Sequence, residues 1–503
     1  MGDAARHPVI QLGDGAVRGT AGDGVAAFLG VPYAAAPFGG RRLRPPQPVA
    51  PWAGVRDATT YGATVPKGDY PPQYQRLFPE VVIPGEECLN LNVWAPDPVG
   101  EGLPVLVWIH GGSFMNGSGS VGEYDGSAFA RDGVVCVTIN YRLAAEGFLF
   151  TGEDDTRPGD ANLGLLDQLA ALDWMQVNIA AFGGDPARVT VAGESAGAMS
   201  VTTLLSMPRS AGLFAQAIAE SGAGAHTLTA DEGRMVAGYL AAELGVPAER
   251  EAIKAVPLDK LVQAASDLVV EVQTAPDPAR WGQLALSLLP FAPTVDGTVL
   301  PAAPLASIAA GQGHDVPLLI GSNRDEARLF LVAANTIGLV DEAMLGAVAA
   351  GYGLSGDGLA VYRSARPGAS RGDLLAAVIS DWFFRVPGIR VAEARAGAGR
   401  TWMYRFDHPD PEGNHQLGAC HGVEIPFVFG TSGRPEVEPR LGPAPSAAVT
   451  GRAHRIWVDF ITGGDPGWAP YDPATRTTGL ITDVVTAADD PAGAERATWN
   501  GIR

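Results

Sequence analysis

The stretch "VTVAGESAGAMS", residues 189–200, decides how the chain is read. A β-branched run ends in Gly193, Glu194, Ser195, Ala196 and Gly197, and residues suited to a helix follow. This fits G-x-S-x-G, in which a serine sits on a sharp strand-to-helix turn. The glycines suit that turn because side chains there would collide. With 65 glycines in 503 residues, the pattern arises by chance in about one such chain in three. Its weight therefore depends on its surroundings: a strand before it, a helix after it, and a base, an acid and anion-binding backbone elsewhere.

The surroundings agree. Continuous apolar runs read as buried strands at 104–110 (PVLVWIH), 134–141 (VVCVTINY), 188–194 (RVTVAGE), 215–221 (AQAIAES) and 316–322 (VPLLIGS), with a sixth at 401–407 (TWMYRFD). Between the second and third, apolar residues recur at three and four until Gly183, Gly184 and Pro186 stop the helix. The first hundred residues alternate and carry turn glycines, which suits short antiparallel strands. Residues 225–300 and 335–400 read as helical excursions, and 430–448 as a surface loop. The expectation is one α/β domain over residues 1–503, with a mostly parallel central sheet, helices on both faces and large helical insertions. Ligands of such sheets bind beyond the carboxyl ends of the strands, where Ser195 falls.

Composition narrows the partners. The chain is 46% hydrophobic and 18% charged, a globular balance, and carries a formal net charge of −20. That charge excludes nucleic acid, whose phosphates nothing would neutralise. No apolar stretch reaches the length of a membrane span, and the N-terminus lacks the apolar core of a signal peptide. Three cysteines, Cys88, Cys136 and Cys420, have no metal-type spacing and no even pairing. The expectation is a cytoplasmic protein without metal or cofactor, and a monomer.

A serine hydroxyl needs a base, usually histidine. His110 opens "HGGSF" after the first strong strand, and His226 follows the strand after Ser195. His421 lies in "GACHGVEIPFVFG", after the last strand. The α/β-hydrolase order is serine, acid, histidine, and His421 alone follows both Ser195 and a sheet strand in a loop. The acid should follow an intervening strand. "VPLLIGSNRDEARLF" offers Asp325 and Glu326, and spacing does not choose between them. Gly111, Gly112 and Ser113, with Ala196 at a helix start, can present backbone N–H groups to a developing oxyanion.

Together these residues resemble the type-B carboxylesterases, the cholinesterase-like branch of the α/β-hydrolases that includes bacterial p-nitrobenzyl-esterase-like proteins. The likeness covers most of the chain: "FLGVPYAAAPFGGRRLRPPQPVAPWAGVRDAT", "EECLNLNVWAP", "VLVWIHGGSF", "INYRLAAEGFL", the helix through "GESAGAMS", "NRDEARLF" and "CHGVEIPFVFG" stand in family order. The resemblance implies a serine carboxylesterase acting on a small-molecule ester through an acyl-enzyme. It implies Ser195, Glu326 and His421 as triad, and Gly112, Ser113 and Ala196 as oxyanion donors. Gly111, Glu194 and Ser221 would support them, Ser221 by holding the acid. It also implies two ion pairs, Arg42 with Glu86 and Arg142 with Asp167. Phe114, Phe291, Trp382, Phe383 and Phe427 are candidate pocket linings.

The departures are Glu146, where members usually have an apolar residue, and an unpaired Cys88, which leaves loop 66–87 unstapled. Phe78 stands where cholinesterases bind choline with tryptophan, which argues against choline esters. Amide or carbamate hydrolysis, or acyl transfer, would use the same groups, and a non-catalytic binding protein of the same fold would be expected to lose one of them. The glycines of "GSGSVG" (117–122) match a dinucleotide fingerprint, but seven residues separate them from the strand and no acidic residue ends the next one.

Overall fold

The computed structural model describes residues 6–78, 80–152, 161–397, 399–408 and 416–503. In chain order the strands are β1 (Val9–Gln11), β2 (Ala16–Arg18), β3 (Thr20–Gly22), β4 (Val25–Pro32), β5 (Val55–Asp57), β6 (Asn90–Pro96), β7 (Leu103–Ile109), β8 (Val135–Ile139), β9 (Gly184–Glu194), β10 (Gln216–Glu220), β11 (Leu318–Asn323), β12 (Thr401–Phe406), β13 (Thr477–Ile481) and β14 (Val485–Asp489). Strands β1, β2 and β5 form a small separate sheet. The other eleven lie in the order β14-β13-β12-β11-β10-β9-β7-β8-β6-β4-β3. From β8 through β13 every neighbouring pair is parallel, and antiparallel strands close both edges.

Alternation along each strand divides the core into two layers. Val105, Val107 and Ile109 of β7 and Leu318 and Ile320 of β11 point into one. Leu106 and Trp108, with Leu319, point into the other. Both faces are apolar, so the strands read as unbroken hydrophobic runs. A third cluster, including Leu345, Tyr362, Trp382 and Trp499, lies largely among the helices between β11 and β12. Among the described residues no helix is long and apolar enough to cross a membrane.

Three sequence expectations change here. Arg42 does not reach Glu86, which is exposed; its Nε donates to Glu146 at 2.5 Å. Glu146 is itself buried on the short helix Ala144–Phe148, so its charge needs a near cation, and Arg42 supplies it. Arg142 and Asp167 pair as expected at 2.7 Å, both fully buried. Residues 430–448 are not simply a surface loop. They include the turn of helix Glu438–Leu441, whose Arg440 is buried against Glu123. The edge strands β13 and β14 were not foreseen.

Candidate active site

The parallel strands bring the ends of β9, β11 and β12 to one edge of the sheet. Ser195 follows β9 directly and begins the helix Ala196–Ser206 with φ 56° and ψ −121°, a conformation L-residues avoid. Its backbone is fixed on both sides: its N–H donates to Glu220 O at 2.9 Å, and its C=O accepts from Met199 N at 2.8 Å. The glycines two positions away are required by contact. A Cβ on Gly193 would lie 2.6 Å from Ile109 O, and one on Gly197 only 2.0 Å from it. Any side chain at either position would push β9 and its helix away from β7.

The turn after β7 packs against this elbow. A Cβ on Gly111 would stand 3.2 Å from Ser195 Cβ and 2.8 Å from Glu194 Oε2. Gly112, Ser113 and Phe114 follow with φ of 111°, 56° and 60°. Two consecutive non-glycine residues in the left-handed region cost about 1–2 kcal/mol each. Among the described residues, the N–H groups of Gly112, Ser113 and Ala196 donate to no protein acceptor. Free donors beside a strained serine are what an anion requires.

Glu326 lies just past β11 and is fully buried. Its Oε1 accepts from Asn323 N, and its Oε2 lies 2.7 Å from His421 Nδ1. Where the Glu326 carboxylate accepts in this contact, Nδ1 is the donor, and a neutral imidazole then keeps its lone pair on Nε2. Asp325 turns away: its Oδ2 accepts from Ala419 N and pairs with Arg324. Phe330 and Phe384 flank the His421 ring, with centroids 5.4 and 4.6 Å away. His421 Nε2 stands 3.1 Å from Glu194 Oε1 without an aligned hydrogen bond. Glu194 is thus the common neighbour of His421 and of the Gly111–Ser195 contact.

The other weighed histidines are committed elsewhere. His110 is buried, stacked 4.6 Å from Tyr141, and burial pushes its pKa down to about 3. His226 stacks 4.0 Å from Phe383, and burial, aided by Arg503, likewise lowers it to about 3.

Ser221 does not hold Glu326. Its Oγ donates to Glu424 Oε1 at 3.3 Å, because Glu424 takes the position facing that hydroxyl. Glu424 also accepts from Asn323 Nδ2. Sequence reading missed this residue, although "HGVE" places it three positions after His421. Of the suggested pocket rings, Phe114 and Phe291 are enclosed in the core, and Phe427 packs on Phe406 at 5.5 Å. Trp382 stacks on Tyr352 at 4.3 Å, and Phe383 lies 4.7 Å from Phe384. A π-helical widening over Asp381–Arg385 carries Phe384, a local signal that a period of 3.6 hides.

Glu123, Glu194, Glu220, Glu326 and Glu424 are all buried, with Arg440 paired to Glu123. Burial, then neighbouring carboxylates, hold the Glu194 and Glu220 carboxyls well above the usual range, and push Glu424 to about 8. Such a group keeps its proton in the folded state after the unfolded chain has lost it. Its stabilising contribution is therefore full at acid pH and is lost as pH rises through the folded value. Glu424→Gln is expected to flatten the fall in Tm between about pH 5 and 8, where one retained proton changes stability by up to about 1.4 kcal/mol per pH unit. Thermal melts across that range check this; parallel wild-type and variant curves would contradict it.

The carboxylesterase family model matches residues 6–485. The para-nitrobenzyl esterase of Bacillus subtilis (strain 168) is 36% identical over 97% of this chain and 98% of its own length. The phenmedipham hydrolase of Pseudarthrobacter oxydans is 36% identical over 97% of this chain and 94% of that protein. Among solved structures, a Geobacillus stearothermophilus carboxylesterase at pH 6.2 superposes with a TM-score of 0.85 at 35% identity, covering 98% of this chain and 99% of that one. The chain belongs to the carboxylesterase family, has the α/β-hydrolase fold, and is a hydrolase of carboxylic esters.

Proposed function

We propose that Ser195, His421 and Glu326 carry out this hydrolysis through an acyl-enzyme. Ser195 Oγ attacks the ester carbonyl and passes its proton to His421 Nε2. Glu326 holds the proton on Nδ1 and stabilises the imidazolium that forms. The N–H groups of Gly112, Ser113 and Ala196 receive the oxyanion. His421 then protonates the leaving alkoxide. Water enters, gives its proton to His421 and attacks the acyl carbon. Collapse returns the proton to Ser195 Oγ and releases the carboxylic acid. The observation that carries this reading is the strained Ser195 backbone with unpaired N–H donors beside it.

Phe330, Phe383 and Phe384 are the proposed apolar wall on the histidine side. The substrate class is a small-molecule ester. The proposal includes a single domain over residues 1–503, a monomer, and a cytoplasmic location in keeping with three unpaired cysteines. A fluorophosphonate probe tests the nucleophile: it should label the wild type at one site and leave Ser195→Ala unlabelled. Labelling that persists in the variant would remove Ser195 from the role.

A further inference from the structure

The chain has only three lysines, Lys67, Lys254 and Lys260. Lys67 is nearly sealed from solvent, with 1% of its side chain exposed, and pairs with Glu80 at 3.1 Å, itself 9% exposed. Lys67 Nζ also donates to Val81 O at 3.0 Å. Both residues lie in the segment that no disulfide closes, since Cys88 is free. A buried ion pair is costly to form and strongly destabilising to break on one side, so it is weak evidence for a stability role alone.

What Glu80 does with its other oxygen is more telling. Glu80 Oε2 accepts from Asn116 Nδ2 and from Gly117 N, each at 3.2 Å. Asn116 Nδ2 also donates to Gly68 O at 2.7 Å, a second tie between segment and turn. Asn116 and Gly117 end the turn that begins at Gly111. Within it, Gly112 O accepts from Met115 N and Asn116 N, both at 2.9 Å. The turn has no slack: a Cβ on Gly112 would lie 2.2 Å from Asn116 O, and one on Gly117 2.6 Å from Gly111 O. Moving Asn116 therefore moves Gly112, and with it the N–H groups of Gly112 and Ser113.

We propose that the Lys67–Glu80 pair is a positioning device for the oxyanion turn: Glu80 grips the far end of residues 111–117, and Lys67 holds the Glu80 carboxylate in place. The inference rests on the oxyanion role proposed above for Gly112 and Ser113. A donor displaced by even an ångström serves the transition state poorly while leaving ground-state binding largely intact.

The test measures kcat and KM per titrated active site, together with affinity for a trifluoromethyl ketone, which forms a tetrahedral adduct with the serine. Glu80→Ala is expected to lower kcat about 10- to 100-fold, to keep KM within about threefold, and to weaken the ketone by the same factor as kcat. Lys67→Met should lose activity in the same way. The double variant Lys67→Met/Glu80→Gln, a neutral pair that keeps an acceptor for Asn116 and Gly117, should recover to within about fivefold of wild type. Should Glu80→Ala not fold, Glu80→Asp, one methylene shorter, reads the same displacement. Unchanged kcat, a loss that appears in KM, a loss traced to fewer competent sites, or a double variant no better than Lys67→Met overturns the inference. Failure of the oxyanion reading would show separately: wild-type enzyme would not be inhibited by the ketone.

Discussion

His421→Ala is expected to lower kcat on a p-nitrophenyl ester by about 10⁶, and adding Ser195→Ala should cost almost nothing more. In the proposed mechanism the two groups work as one device. Without an acceptor for its proton, the Ser195 hydroxyl is a poor nucleophile whatever its backbone strain. Without the hydroxyl, His421 has no covalent intermediate to serve. The residual rate, still about 10³–10⁴ above water, would come from binding and the N–H groups of the 111–113 turn and Ala196. Activity of His421→Ala within tenfold of wild type would refute the assignment, as would two losses that multiply.

The same prediction bears on the resting geometry. His421 Nε2 faces Glu194 Oε1 at 3.1 Å, and Glu194 sits at the elbow beside Ser195. Hydrogen bonds between base and nucleophile are often loose before substrate arrives and tighten in the complex. Burial, then Glu326 and Glu123, hold the Glu194 carboxyl well above the ordinary carboxylate range, which favours its neutral form. A neutral carboxyl group there does not trap the imidazolium as an anion would. In the proposed mechanism, His421 is then available to take the Ser195 proton.

How far this was legible in the sequence follows from the range of each interaction. The central strands were readable because both faces are buried, which makes continuous apolar runs such as 104–110. Strands β13 and β14 were not: Thr477–Ile481 mixes threonine and glycine, and several side chains of Val485–Asp489 reach solvent. The Ser195 turn was readable because its glycines are demanded by local contact. Side-chain partners set by tertiary packing were not. Arg42 chose Glu146 over Glu86, and Ser221 chose Glu424 over Glu326, because each buried carboxylate takes the nearest donor in space. Glu123 and Arg440 are 317 positions apart, beyond any pattern of spacing. Phe330 and Phe384 touch His421 only through the local helix geometry around them.

Glu326→Gln is expected to lower kcat by about 10⁴, while Asp325→Asn should stay within about threefold of wild type. Spacing alone treats these neighbours alike; their contacts do not. Glutamine at 326 is nearly isosteric and can still accept from Asn323 N, so the fold of the loop should survive. But its amide can present N–H to His421 Nδ1, and the imidazole must then turn to the other tautomer to accept it. That places the ring proton on Nε2, where the lone pair is needed to receive the Ser195 proton. Asparagine at 325 still offers an oxygen to Ala419 N and loses only the half-exposed pair with Arg324, whose worth is small in water. Steady-state kinetics on both variants decides the matter. Equal losses would mean that the carboxylates act on the loop and not on the imidazole, and a larger loss at Asp325 would reverse the assignment of the acid.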